Sequence, residues 1–232
     1  MMMLFRPSFY HLALILAAPL WSPALHAAII GTTGAATVIA APVSVQDGVM
    51  ESNTQVYAFA EQQNITLTSA ISVDVSVPGS VPASGSNNNF SVATIPIGTT
   101  ISSYFLSCDA VGSPSPPVEF TGSITFDTNI LGMIILNDSL NASAAFLGLP
   151  TTAYSTNGGL EINESNAFDS IILSADRRKL TFDFRDATAP DNIRFITASA
   201  VPEPGSISVL VLAGLALIKR RRRTRALGSV SI

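Results

Sequence analysis

Few side chains in this 232-residue chain can do chemistry, and most of those are carboxylates. Both histidines, His11 and His26, fall within residues 1–27, so the stretch 28–200 has none. Without imidazole that stretch has no Ser-His-Asp or Cys-His relay and lacks the ligand that most zinc sites use. A single cysteine, Cys108, rules out an internal disulfide. Alternation through Ile101–Cys108 sets Cys108 on one face with Tyr104 and Leu106. It therefore reads as a small buried hydrophobe, with a thiol that pairs between molecules as the alternative.

Three acids, Glu161, Glu164 and Asp169, lie in or beside the Gly158–Asn166 loop, and Asp186 and Asp191 flank the last strand. Oxygen ligands on extracellular loops suit calcium, and Glu161, Glu164 and Asp169 form the candidate set. Their spacing matches no calcium loop, so solvated turn acids are the plainer reading. No other cofactor is implied. Paired carboxylates also serve glycoside hydrolysis, yet nothing in the sequence selects a pair. Sugar-binding faces commonly use flat aromatic rings. Trp21 lies in the first 27 residues, leaving Tyr57, Tyr104, Tyr154 and phenylalanines, several at core-facing positions.

The elements that must carry these groups are strands. Ile65-Thr66-Leu67-Thr68, Ile71–Val77 and Leu180–Arg185 alternate apolar with polar residues, which puts one face on a core and the other in water. Further strands are expected at Thr37–Val45, Gln55–Ala60, Phe90–Ile97, Ile101–Cys108, Val118–Asp127, Ile130–Leu136, Ser170–Ser174 and Ile193–Ala198. Ser170–Ser174 and Leu180–Phe184 flank five turn-forming residues and should pair as a hairpin. Ser80–Asn89 and Val111–Pro117 read as loops from their Gly, Pro, Ser and Asn content. Leu140–Leu149, with its alanines, is the one place for a short helix. Many short strands without alternating helices predict an all-β fold, an antiparallel β-sandwich, for which a jelly-roll-like winding is one allowed topology.

The two ends have a different character. Met1–His11 carries Arg6 and no acid, Leu12–Leu20 is apolar, and Ser22–Ala28 is rich in small residues. That order is a secretory signal peptide, cut after Ala27 or Ala24. Near the other end, Pro202-Glu203-Pro204 is followed by the uncharged run Ile207–Ile218 and then by Lys219-Arg220-Arg221-Arg222-Arg223 and Arg225. Lipid requires such a run to satisfy its own backbone, so it is expected to be a transmembrane helix. Its 12 residues reach about 18 Å, short of a hydrocarbon core of about 30 Å. Residues from Pro204 and the snorkelling stems of the cationic side chains extend it. Lys and Arg stay cytoplasmic, which places Pro202-Glu203-Pro204 across the membrane. The bland alternative, an amphipathic surface helix, needs a polar stripe that the run lacks.

At these residues the chain resembles the PEP-CTERM sorting-domain proteins of Gram-negative bacteria. The resemblance covers roughly the last tenth of the sequence. It implies Pro202, Glu203 and Pro204 as recognition motif, Ile207–Ile218 as anchor, and Lys219, Arg220, Arg221, Arg222, Arg223 and Arg225 as the stop-transfer cluster. It also implies passage through the Sec translocon, transient residence in the inner membrane and processing by an exosortase, in organisms that make exopolysaccharide. Two departures stand out: the apolar run is short, and Ala226–Ile232 trails beyond the arginines.

The organisation expected is therefore a signal peptide at 1–27, an exported β-sandwich at 28–200, a sorting segment at 201–225 and a short tail at 226–232. Five of the 12 Lys and Arg, and 15 of the 16 Asp and Glu, lie in 28–200, giving that body a charge near −10. An acidic body repels phosphate backbones, so nucleic acid is not an expected partner. The sequence favours a non-enzymatic surface or matrix protein, with polysaccharide or calcium binding as the alternative and a carboxylate-dependent hydrolase as a minor one.

Overall fold

The computed structural model describes residues 27–81, 91–160 and 169–199. Residues 1–26 of the expected signal peptide, Glu161, Glu164, and the expected sorting motif, anchor and cationic cluster lie outside the described residues. Among those described, no helix is long and apolar enough to cross a membrane.

The chain is a mostly β body built on two sheets. One sheet, here sheet A, has the order β1 (Ile29–Gly34), β10 (Val118–Phe126), β14 (Lys179–Asp186), β13 (Ser170–Leu173), β7 (Gly79–Val81), all antiparallel. Sheet B has the order β11 (Ile130–Ile134), β15 (Asp191–Ala198), β9 (Thr100–Cys108), β4 (Val56–Ala60), β2 (Ala36–Val38), with β5 (Ile65–Thr66) also on β9. Smaller pairs are β6 (Ile71–Val73) with β8 (Ala93–Ile95), and β3 (Ser44–Val45) with β12 (Ala153–Tyr154). The expected hairpin forms, with Ser170 opposite Asp183 and Leu173 opposite Leu180. Two pairings depart from the antiparallel expectation: β2 with β4, and β3 with β12, run parallel.

The sheets pack face to face. Phe120, Ile124, Phe126, Phe182 and Phe184 from sheet A meet Tyr104, Leu106, Cys108, Ile193 and Phe195 from sheet B in one buried cluster. Phe126 bridges the layers, its ring 5.0 Å from Tyr104 and 5.3 Å from Phe195. Each such side chain, fully removed from water, contributes roughly 1.5–3 kcal/mol. The chain crosses from sheet A to sheet B at Gly34, whose φ of 64° suits glycine. A Cβ there would run into the Thr121 carbonyl.

Sheet B departs from the expectation that one face meets water. Its residues facing away from sheet A, Phe59, Ile101, Phe105 and Ile196, are buried in a second cluster. Helix α1 (Asn137–Leu147) and the β6–β8 pair cover them as a third layer. The helix starts three residues before the expected Leu140 and turns Leu140, Ser143 and Leu147 inward, the spacing of one helical face. Its N-cap, Leu136, offers no side-chain acceptor. Asp74 substitutes from across the layer, accepting from Ile135 N at 2.9 Å, Leu136 N at 3.0 Å and Ser139 Oγ at 2.9 Å. A carboxylate at this helix end also suits the macrodipole.

Under the helix, Arg194 of β15 is fully buried. Its Nε and Nη2 donate to the two oxygens of Glu61 at 2.8 and 2.9 Å, and Nη1 donates to Leu140 O at 3.0 Å and Ser143 Oγ at 2.5 Å. The guanidinium also lies over the Phe105 and Tyr154 rings, at 5.1 and 5.2 Å. Burial and the Glu61 charge push the Tyr154 phenol up. Removing one member of such a pair costs about 3–5 kcal/mol, because the other charge is left dry and unpaired. Arg194→Met should lower unfolding free energy by that order in chemical denaturation. Arg194→Met with Glu61→Gln should recover part of it, and a double-variant loss equal to the sum of the losses in Arg194→Met alone and Glu61→Gln alone would show the two groups uncoupled.

Candidate functional site

The outward residues of β10 and β14 are polar because their inward neighbours take the core positions. In β10, Glu119 and Thr121 alternate with buried Phe120, and in β14, Lys179, Thr181 and Asp183 alternate with buried Leu180, Phe182 and Phe184. Antiparallel register arranges them in rows. Thr33, Ser123, Thr181 and Ile172 form one row, Thr121, Asp183 and Ser170 the next, and Glu119 stands opposite Arg185. Thr33 and Ser123 hydroxyls are 2.7 Å apart. Arg185 and Glu119 approach to 3.2 Å, both well exposed, so that pair adds little stability.

A shallow depression of about 450 Å³ opens on this face, lined by Thr33, Thr121, Ser123, Lys179, Thr181 and Asp183 among others. Gly122 and Gly34 shape it. At Gly122 a Cβ would meet Thr33 O at 2.6 Å and Phe182 Cζ at 2.7 Å, so strand β1 can lie this close only over glycine. Hydroxyls, one ammonium and one carboxylate offer donors and acceptors across a flat surface. Such a set suits hydrogen bonding to a polyhydroxylated chain.

The acids singled out in the sequence sit elsewhere and do different work. Asp169, Asp186 and Asp191 are 1%, 3% and 3% exposed, which overturns their reading as solvated turn acids. Asp186 accepts from Ala110 N at 2.5 Å and Asp169 from Arg185 N at 3.1 Å, so both fasten backbone at one end of the sandwich. Asp191 lies opposite Cys108 in the β15–β9 register. Cys108 is fully buried, as the alternation implied, and this burial excludes pairing between folded molecules. Burial first, then the charges of Asp191, Asp186, Asp169 and Asp109, hold its thiol well above the usual range. A thiol so held is not a nucleophile.

Of the candidate calcium set, Glu161 and Glu164 lie outside the described residues, and Asp169 is the buried acceptor just described. Among the described residues, no group of three or more His, Cys, Asp or Glu is placed to hold a metal ion. The residues overlooked in the sequence are Glu61 with Arg194, Asp74, and the polar rows of sheet A. Only the last left a readable trace, in the alternation Glu119-Phe120-Thr121 and Leu180-Thr181-Phe182-Asp183.

No family model, curated protein or solved structure matches this chain.

Asp109 supplies a pH test. Burial, then the neighbouring charges of Asp47 and Glu51, raise its carboxyl, while the Gly48 N–H at 2.9 Å opposes them. A raised folded pKa means that the ionised form weakens the native state, a penalty relieved as pH falls through that value. Asp109→Asn, which keeps an acceptor for Gly48, should therefore melt at or above the parent at pH 8, with the difference shrinking toward pH 4. An equal loss of stability at both ends would contradict the assignment.

Proposed function

We propose that this chain is an exported, non-enzymatic protein of the cell surface or extracellular matrix. The observation that carries the reading is the order of Pro202-Glu203-Pro204, the apolar run Ile207–Ile218 and the cluster Lys219–Arg223 at one end, matched by a signal-peptide pattern at the other. In this reading the chain passes the Sec translocon, rests in the inner membrane through its apolar helix, and is released by an exosortase. The character of the body supports it: Cys108, Asp74, Asp169, Asp186, Glu61 and Arg194 are all committed to holding the fold. A jelly-roll-like winding is the finer topology we read, supported by crossings between sheets at β1/β2, β9/β10, β10/β11 and β14/β15. Expression of the full chain in an exosortase-bearing host tests the proposal. Surface protein should have an intact mass ending near Pro202–Pro204, without the arginines. A body confined to the cytoplasm, or a surface form extending to Ile232, would defeat it.

The polysaccharide-binding reading is favoured by one specific feature, the hydroxyl-lined depression on sheet A. A hydrogen bond there is worth about 0.5–1.5 kcal/mol, or roughly two- to tenfold in affinity. Electrophoresis through gels carrying exopolysaccharide should show retardation that Asp183→Ala or Thr181→Ala reduces by that order. Mobility unaffected by the polysaccharide would remove the reading.

A further inference from the structure

The first residues of the body are held from both sides by one aspartate. Ala28 N donates to Asp127 Oδ1 at 2.8 Å, and the Ala28 carbonyl accepts from Asp127 N at 3.1 Å. Asp127 thus holds both sides of one residue, immediately before β1 begins its register with Ile29 opposite Phe126. Beside them is the buried Tyr104 hydroxyl, bonded to the Ala27 carbonyl and to Gln63 Oε1 at 3.1 Å. The charge of Asp127 reaches this phenol, which burial already pushes up.

Here the acceptor is a carboxylate, at the residue that becomes the amino terminus if the signal peptide is cut after Ala27. The geometry points to Asp127 as the receptor for the α-amino group of Ala28 after that cut. The inference rests on the export reading and goes beyond it. Hydrolysis adds water across the Ala27–Ala28 bond: the hydroxyl goes to the Ala27 carbonyl carbon and the hydrogen to the Ala28 nitrogen, which protonates at neutral pH. The ammonium then replaces an amide 2.8 Å from the carboxylate. Tyr104, released from the Ala27 carbonyl, keeps Gln63 as acceptor. Charge-assisted hydrogen bonds of this kind are roughly twice as strong as neutral ones. Ala27 itself is 3% exposed and packs in the main core, so the rival outcome is a cut after Ala24 that retains it.

The test uses the full precursor, exported with its own leader from a Gram-negative host. The amino-terminal residue is read by sequencing, and the native protein is labelled at pH 7 with an α-amine-selective aldehyde. Only unprotonated amine reacts, so each unit by which the carboxylate raises the amine pKa slows labelling about tenfold. Expected are Ala28 at the terminus, slow labelling, and labelling about tenfold faster in Asp127→Asn, with Asp127→Glu nearer the parent. The exposed Asp138→Asn serves as a control that leaves the rate unchanged. Ala28 at the terminus with equal rates in the parent, Asp127→Asn and Asp127→Glu would overturn the Asp127 assignment alone. Leu25 at the terminus would overturn the assignment and leave export standing. An uncut precursor in the cytoplasm would overturn both.

Discussion

The constraint on which the architecture depends is the burial of one charge, the Arg194 guanidinium, in the middle of sheet B. A cation removed from water is tolerated only where its donors are matched. The match comes from several separate stretches of chain: Glu61 just past the end of β4, the Leu140 carbonyl and Ser143 hydroxyl of α1, and the aromatic faces of Phe105 on β9 and Tyr154 on β12. Strand, helix and covering segment must therefore all arrive before the charge is satisfied. Asp74 reinforces the same arrangement by capping the helix from the β6 side. An apolar residue at 194 would fill the space without dictating which segment covers it. The ion pair makes the third layer specific.

Much of the sheet framework was legible in the chain. Leu180–Arg185 shows its buried and exposed sides by strict alternation, and the turn residues before it mark the hairpin. Ile101–Cys108 gave one face correctly, with Tyr104, Leu106 and Cys108 against the other sheet. The opposite face carried no such signal, because its Ser103 and Ser107 are buried as fully as the apolar residues. A serine is small, and its hydroxyl can be satisfied locally. Ser103 Oγ donates to Leu147 O at 3.1 Å, a partner supplied by a helix that periodicity on the strand cannot announce. Strands β1 and β7 were missed for a related reason. Ile29–Gly34 and Gly79–Val81 are rich in glycine, threonine or serine, and their pairing comes from neighbours, not from propensity.

The site was less legible than the fold. Acids at strand ends were read as solvated, the usual state of a turn carboxylate. Asp169 and Asp186 instead serve as acceptors for backbone N–H groups that leave the sheet ladder where the strands end. Glu61 and Arg194 are 133 residues apart, and nothing local marks either as a partner. The sheet A face was foreshadowed by alternation in two separate strands. Its depression depends on where β1 docks, and that is set by Gly34 and Gly122.

Double coverage of sheet B also bears on how the molecule opens. In a two-layer sandwich, an outer segment can detach while the sheet beneath stays hydrogen-bonded and merely wets one face. Here, lifting the helix would admit water to a guanidinium and a carboxylate locked together, and would leave two aromatic rings bare. Opening that side should therefore cost more than shedding a purely apolar cover. That side of the body should therefore offer proteases few transient cut points, a useful property wherever a protein must endure without repair.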